Sequence, residues 1–239
     1  MKIWILTYHA VRQGDSVLDT PPDVFRRQME MLAERGWQAT SLQRALSLSA
    51  QEAEQDLLAL TFDDAYSCLA EQAVPVLEGL GFGATLFVPT AFAGRLAGWP
   101  HSAGSIMDWA TLRQLSQAGF EIGSHSADHL DLSRLGAAAL EDQLRRSRCE
   151  IEERLGAPCR SLAYPYGRLS PAVAEAARRH YRCAVTTRLA AASEKSDRMR
   201  LPRIEMYYYR NLRIWKQFDR WLGVPYLAVR RLLRRLGGQ

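Results

Sequence analysis

The chain has 239 residues, 47% hydrophobic and 24% charged, with a formal net charge of +5. That composition excludes a disordered or fibrous chain and suits one α/β domain whose core needs no disulfide staple. No run approaches the roughly 20 apolar residues that cross a bilayer.

The charge is uneven. From Arg200 onward ten Lys/Arg (Arg200, Arg203, Arg210, Arg213, Lys216, Arg220, Arg230, Arg231, Arg234, Arg235) face only Glu205 and Asp219. No recognition motif accompanies this charge, so a nucleic-acid partner is not expected. Four cysteines (Cys68, Cys149, Cys159, Cys183) form no CxxC pair and read as free thiols in a reducing compartment. The opening apolar run Ile3-Trp4-Ile5-Leu6 stops at Thr7-Tyr8-His9, shorter than a secretory signal, which makes the cytoplasm the expected location.

In chain order, 2–9 is a strand candidate. Val24, Phe25, Met29 and Leu32 mark a helix over 21–35, closed by Gly36. The continuous apolar run 57–62 suits a strand buried on both faces. A helix over 67–80 follows, bent or split by Pro75. A strand over 83–89 leads into a loop over 90–105. Asp108 is placed to cap a helix over 109–118, and Gly119 to stop it. A strand over 120–123, a long charged helix over 137–155 ending at Gly156, a strand over 161–164, a helix over 171–180 and strands over 183–186 and 201–206 complete the pattern.

This alternation predicts a parallel α/β fold. Polar residues gather where strands end: His9, Asp63-Asp64, Thr90, His125, 164–167, Thr186-Thr187 and 203–205. In barrels that face carries function. The expected architecture is therefore a deformed (β/α) barrel of seven or eight strands over 1–206, with a basic amphipathic helical tail over 207–239.

Three constellations carry chemistry. Thr61-Phe62-Asp63-Asp64 ends an apolar strand: one carboxylate there can bind a metal while the other takes a proton from water. The alternative is a helix N-cap with a solvated neighbour. His125-Ser126-Ala127-Asp128-His129 sets two imidazoles four residues apart, on one face of an expected helical turn and close enough to chelate a single ion. With Asp64 they make a two-His, one-carboxylate set. Such donors suit Zn2+ first, with Co2+, Ni2+ or Fe2+ also compatible. Tyr164-Pro165-Tyr166-Gly167 forces an extended and then sharply turning backbone, whose N–H groups can face an oxyanion. It can equally be an ordinary strand-to-helix turn.

In this order and at these separations, Thr-Phe-Asp-Asp, His-Ser-x-x-His and Tyr-Pro-Tyr-Gly resemble the first three motifs of the polysaccharide deacetylases (carbohydrate esterase family 4, the NodB-homology domain). The resemblance spans about 2–206. It implies Asp63 as general base, Asp64, His125 and His129 as metal ligands, and the Tyr166 main-chain N–H as an oxyanion donor. Two features depart from many members: Ala163 approaches the turn where an Arg is usual, and no His follows His180. Instead Leu6-Thr7-Tyr8-His9 resembles the permuted branch of poly-N-acetylglucosamine deacetylases, which implies His9 as general acid. Leu201-Pro202-Arg203-Ile204 resembles the same branch, so Arg203 or Glu205 is a candidate to orient Asp63 or His9. Pro165, Arg203 and Glu205 are also candidate substrate contacts.

The implied activity is metal-dependent removal of N-acetyl groups from an N-acetylated sugar. A deformylase or another amidohydrolase would use the same metal and base. A catalytically inactive glycan-binding barrel is the reading from a different class.

In the tail, Trp215, Phe218, Trp221 and Leu222, then Val229, Leu232, Leu233 and Leu236, fall at helical spacing among arginines. That pattern describes either a helix at an anionic membrane over 211–236 or a last helix packed on the barrel. Membrane contact would point to a lipid-linked cell-envelope glycan precursor.

Overall fold

The computed structural model describes residues 1–48, 56–99, 102, 104–219 and 223–236. Seven parallel strands close into a barrel. They are β1 (Lys2–Tyr8), β2 (Leu57–Phe62), β3 (Thr85–Val88), β4 (Glu121–Ser124), β5 (Ser161–Ala163), β6 (Cys183–Leu189) and β7 (Leu201–Glu205). Each pairs with the next, and β1 pairs with both β2 and β7 to complete the ring.

Side-chain alternation along the strands divides the apolar residues into two layers. Ile3 and Ile5 of β1, Ala59 of β2, Phe87 of β3, Ala163 of β5, Cys183 and Val185 of β6 and Leu201 of β7 pack together inside the ring. Trp4, Leu6, Tyr8, Leu58, Leu60, Phe62, Leu86, Val88 and Ile122 face outward against the helices. Gly123 is required on the inner row, because a Cβ there would stand 2.6 Å from the Phe87 ring.

The helices follow their punctuation. α1 (Pro22–Glu34) starts on a proline and buries Phe25, Met29 and Leu32. Pro75 splits the expected 67–80 helix into α3 (Cys68–Gln72) and α4 (Val74–Gly79). Asp108 caps α5 (Trp109–Gln117) by accepting from the Thr111 N–H at 2.8 Å. α6 (Ala137–Leu155) ends on Gly156 at φ 66°, and α7 (Pro171–His180) starts on its proline.

One helix is absent from the sequence reading. α2 (Leu42–Ser47) spans six residues, too few to show a period, yet Leu42 and Ala45 plug the amino end of the barrel.

After β7 a single turn over Met206–Tyr209 leads to α8 (Leu212–Trp215). Trp215 and Phe218, offered above to a membrane, instead stack on each other at 4.4 Å, and Phe218 meets Trp4 edge-on at 5.4 Å. Burying both rings on the barrel removes more apolar surface from water than leaving them in a surface helix. Gln28 of α1 ties the segment down, donating to the Tyr209 carbonyl at 2.9 Å, and Arg35 pairs with Asp219 at 2.6 Å.

The last helix, α9 (Gly223–Leu236), rests on Leu227 and on Tyr226, whose hydroxyl donates to the Tyr208 carbonyl. Trp221 and Leu222 lie outside the described residues. Among those residues no helix is long and apolar enough to cross a membrane.

Candidate active site

The inward rows of the barrel deliver the polar residues to one mouth. Asp63 extends the row of Ala59 and Thr61, His125 extends that of Glu121 and Gly123, and Arg203 stands two residues beyond Leu201. All are buried at the carboxyl end of the strands. Neither aspartate caps the next helix, since α3 begins only after Ser67.

Arg203, with 0% of its surface exposed, forks onto Asp63: Nη1 donates to Oδ1 and Nη2 to Oδ2, each at 2.7 Å. Its Nε donates to the Thr186 carbonyl at 3.0 Å, which fixes the plane of the guanidinium. Burial pushes the Asp63 carboxyl up, but the charge and hydrogen bonds of Arg203 outweigh it and hold the group well below the usual carboxylate range. Asp63 is therefore ionised and pinned in one orientation. His9 follows β1, with Nε2 4.0 Å from Asp63 Oδ2.

Asp64 turns away from the strand through a left-handed backbone, at φ 68° with Ala65 at φ 50°. Its Oδ1 is buried without a hydrogen-bond partner among the described residues. That oxygen stands 3.5 Å from His125 Nε2 and 3.3 Å from His129 Nε2. His125 Nδ1 lies 2.8 Å from the Ala163 carbonyl. A carbonyl only accepts, so Nδ1 carries the proton and Nε2 keeps its lone pair. Burial is the largest of the causes that push His125 down to about 4, so its ring is neutral at pH 7.

The two histidines do not lie on a helical turn, contrary to the sequence expectation. Ser126 (φ 62°) and His129 (φ 53°) are left-handed, and other partners compete for the backbone. Ser124 Oγ accepts the Ser126 N–H at 3.1 Å, while the N–H groups of Thr90 and Ala91 donate to the carbonyls of Ser126 and Ala127. Asp128, between the two, is locked to α6 by the Gln143 side chain and by Arg146. The imidazoles converge all the same, with ring centroids 4.9 Å apart.

One donor atom from each of Asp64, His125 and His129 lies within 4.8 Å of the others. Donors bonded tetrahedrally to zinc at about 2.0 Å stand about 3.3 Å apart, so the spacing around Asp64 Oδ1 fits a small divalent ion. The unpartnered oxygen is the stronger sign, because a buried carboxylate oxygen left unsatisfied costs free energy unless a ligand fills it.

Pro165, Tyr166 and Gly167 form a single 3-10 turn after β5, with Tyr166 left-handed at φ 59°. Tyr166 is 46% exposed, and its ring packs edge-on to His129 at 4.8 Å. Pro165 and Glu205 are buried, Glu205 opposite Thr7 in the β1–β7 pairing. Arg203, two residues before Glu205 on the same strand, is buried as well.

Sequence reasoning missed Trp99, in the loop after β3, which stacks on His129 with centroids 4.0 Å apart and planes 21° apart. Its only sequence signal is a tryptophan between glycine and proline in a loop. The Asp128–Gln143 lock was missed too, since nothing in one sequence links those positions.

A profile of the polysaccharide deacetylase family matches residues 50–183. A Bacillus subtilis (strain 168) protein named as a polysaccharide deacetylase, YxkH, is 28% identical over 208 residues, covering 86% of this chain and 71% of its own. Among solved structures, the Streptococcus pyogenes deacetylase PplD, in complex with acetate, superposes with a TM-score of 0.76 at 24% identity. That match covers 86% of this chain and 92% of PplD. IcaB from Ammonifex degensii superposes at 0.77 and 23%, covering 90% and 97%. At such identities these two matches speak for the fold.

Proposed function

The chain belongs to the polysaccharide deacetylase family, and on that premise we propose that it is a metal-dependent hydrolase removing acetyl groups from an N-acetylated sugar. The observation that carries this reading is the buried Asp64 oxygen, unpartnered and faced by two imidazole nitrogens, beside a second aspartate pinned by arginine.

In this reading Asp64, His125 and His129 hold the ion, with zinc first among the candidates and Co2+, Ni2+ or Fe2+ compatible. Such an ion supplies Lewis-acid charge for the amide carbonyl and the attacking water. Asp63, kept ionised by Arg203, accepts the proton that water loses. The fork leaves that carboxylate one orientation, so little ordering remains for the reaction step. The Tyr166 N–H, carried by the left-handed turn, donates to the oxyanion. His9 delivers the proton that lets nitrogen leave as a neutral amine. Its position beside Asp63 lets one acid and one base serve the same bond.

The test is acetate release from N-acetylated sugar nucleotides, lipid-linked sugars and oligomers. His9→Ala is expected to lower kcat by about 10²-fold with bound metal unchanged. Full activity in that variant would remove His9 from the reaction. Formate release without acetate release would favour the deformylase.

We further propose a lipid-linked cell-envelope glycan precursor as substrate, met at the inner face of the membrane. Support comes from α9. Val229, Leu232 and Leu233 form one stripe, each more than half exposed at 55%, 57% and 53%. Residues 220–239 carry Arg220, Arg230, Arg231, Arg234 and Arg235 and no acidic residue. An apolar stripe among arginines suits an anionic lipid surface. The four free cysteines suit the reducing side. Vesicles with anionic lipid should pull down the full chain but not Leu232→Glu/Leu233→Glu, while soluble-substrate activity stays level. Equal sedimentation of both proteins would end this part of the proposal.

A further inference from the structure

His125 and His129 are oriented by different means. His125 donates its second nitrogen's proton to the Ala163 carbonyl. His129 Nδ1 is buried and has no hydrogen-bond partner among the described residues. Imidazoles that bind metals almost always donate that second N–H to an acceptor, which fixes the ring. The His129 ring is gripped by other rings instead. Trp99 stacks on its face at 4.0 Å, while Tyr166 and His125 meet it edge-on at 4.8 Å and 4.9 Å.

The grip is itself supported. Phe92 meets Trp99 edge-on at 5.1 Å. Phe92 belongs to the turn Thr90–Phe92, whose Ala91 N–H donates to the Ala127 carbonyl at 3.0 Å. The loop that carries the tryptophan and the loop that carries the histidine are thus joined by backbone bonds and a ring stack.

We propose that Trp99 is a positioning residue for the metal centre, orienting His129 by stacking where His125 is oriented by a hydrogen bond. The inference rests on Asp64, His125 and His129 being ligands. An imidazole bound to a divalent cation carries part of its charge, and the indole face attracts that charge more than it attracts a neutral ring. Trp99 therefore acts on metal affinity more than on the stability of the empty fold.

Zinc affinity of the full chain, by chelator competition, is compared among wild type, Trp99→Phe and Trp99→Leu, with apoprotein melting alongside. The visible spectrum of the Co2+ form reports ligand geometry. Trp99→Leu keeps apolar bulk but no ring face, and is expected to bind zinc about 10-fold more weakly, with a shifted Co2+ spectrum and unchanged apoprotein melting. Trp99→Phe is expected to stay close to wild type in all three. Equal affinity of the Leu variant and wild type overturns the proposal, as do equal losses in both variants. A loss in the Leu variant matched by a fall in apoprotein stability makes Trp99 a packing residue and also overturns it. Wild-type protein that takes up no zinc would overturn the ligand reading itself, and this inference with it.

Discussion

Two carboxylates at opposite ends of one barrel show how a structural acid differs from a functional one. Glu121 opens β4 at the amino end, and both its oxygens are satisfied by protein. Oε1 accepts from Ser161 Oγ at 2.5 Å, and Oε2 accepts from Thr85 Oγ1 at 2.8 Å and the Gln43 N–H at 2.9 Å. Asp64, at the carboxyl end, keeps a buried oxygen with no hydrogen-bond partner among the described residues, facing two imidazoles. Glu121 sits in a regular strand, whereas Asp64 is held at φ 68°, a conformation that costs a non-glycine residue on the order of 1 kcal/mol. Glu121 commits both oxygens to protein donors; Asp64 leaves one open to a ligand.

The sharpest way to break this contrast is at Asp63. Asp63→Asn keeps the size of the side chain and removes the base, so kcat should fall by about 10³-fold while bound metal is retained. Steady-state acetate release together with elemental analysis checks both halves. Activity within a few-fold of wild type would reduce Asp63 to an anchor for Arg203.

Next in size is a pH effect on the metal-free protein. Folding lowers His125 from its ordinary 6.5 to about 4. Below 6.5 the unfolded chain takes up a proton that the folded protein refuses until about 4, so stability is lost as pH falls across that window. The loss should be on the order of 3 kcal/mol. Urea midpoints of the apoprotein should fall with pH across the window, and His125→Gln should flatten the slope. An unchanged slope would mean that the His125 site is less dry than its burial implies.

The smallest effect is expected at the closed end. Glu121→Ala strips an acceptor from three donors and should cost about 2 kcal/mol of stability. Metal affinity and kcat should not move. A variant that lost zinc would show that the two ends of the barrel are coupled.

What the sequence discloses follows the same division. Regular elements were legible because their signals are local: Pro171 and Gly156 punctuate helices, Pro75 splits one, and 57–62 reads as a buried strand. Asp63 and His125 were legible as strand-end polar residues, and in the structure they continue the inward alternation of β2 and β4. The path between them was not. Asp64, Ala65, Ser126, His129 and Tyr166 all adopt positive φ without being glycine, so no residue type announces the turns. The helical turn expected for His125 and His129 failed there, because backbone partners on the loop after β3 outbid a local helix. α2 and Trp99 escaped for a related reason, since tertiary packing places them and no local pattern does.

The central claim is that Asp64, His125 and His129 hold one divalent ion on which the reaction depends. Wild-type protein stripped with chelator, then titrated with zinc while acetate release from an N-acetylated oligosaccharide is followed, tests it most directly. The account predicts no release from stripped protein and recovery that saturates at about one ion per chain, with Asp64→Ala recovering nothing. Full acetate release from protein shown by elemental analysis to be free of metal would contradict it.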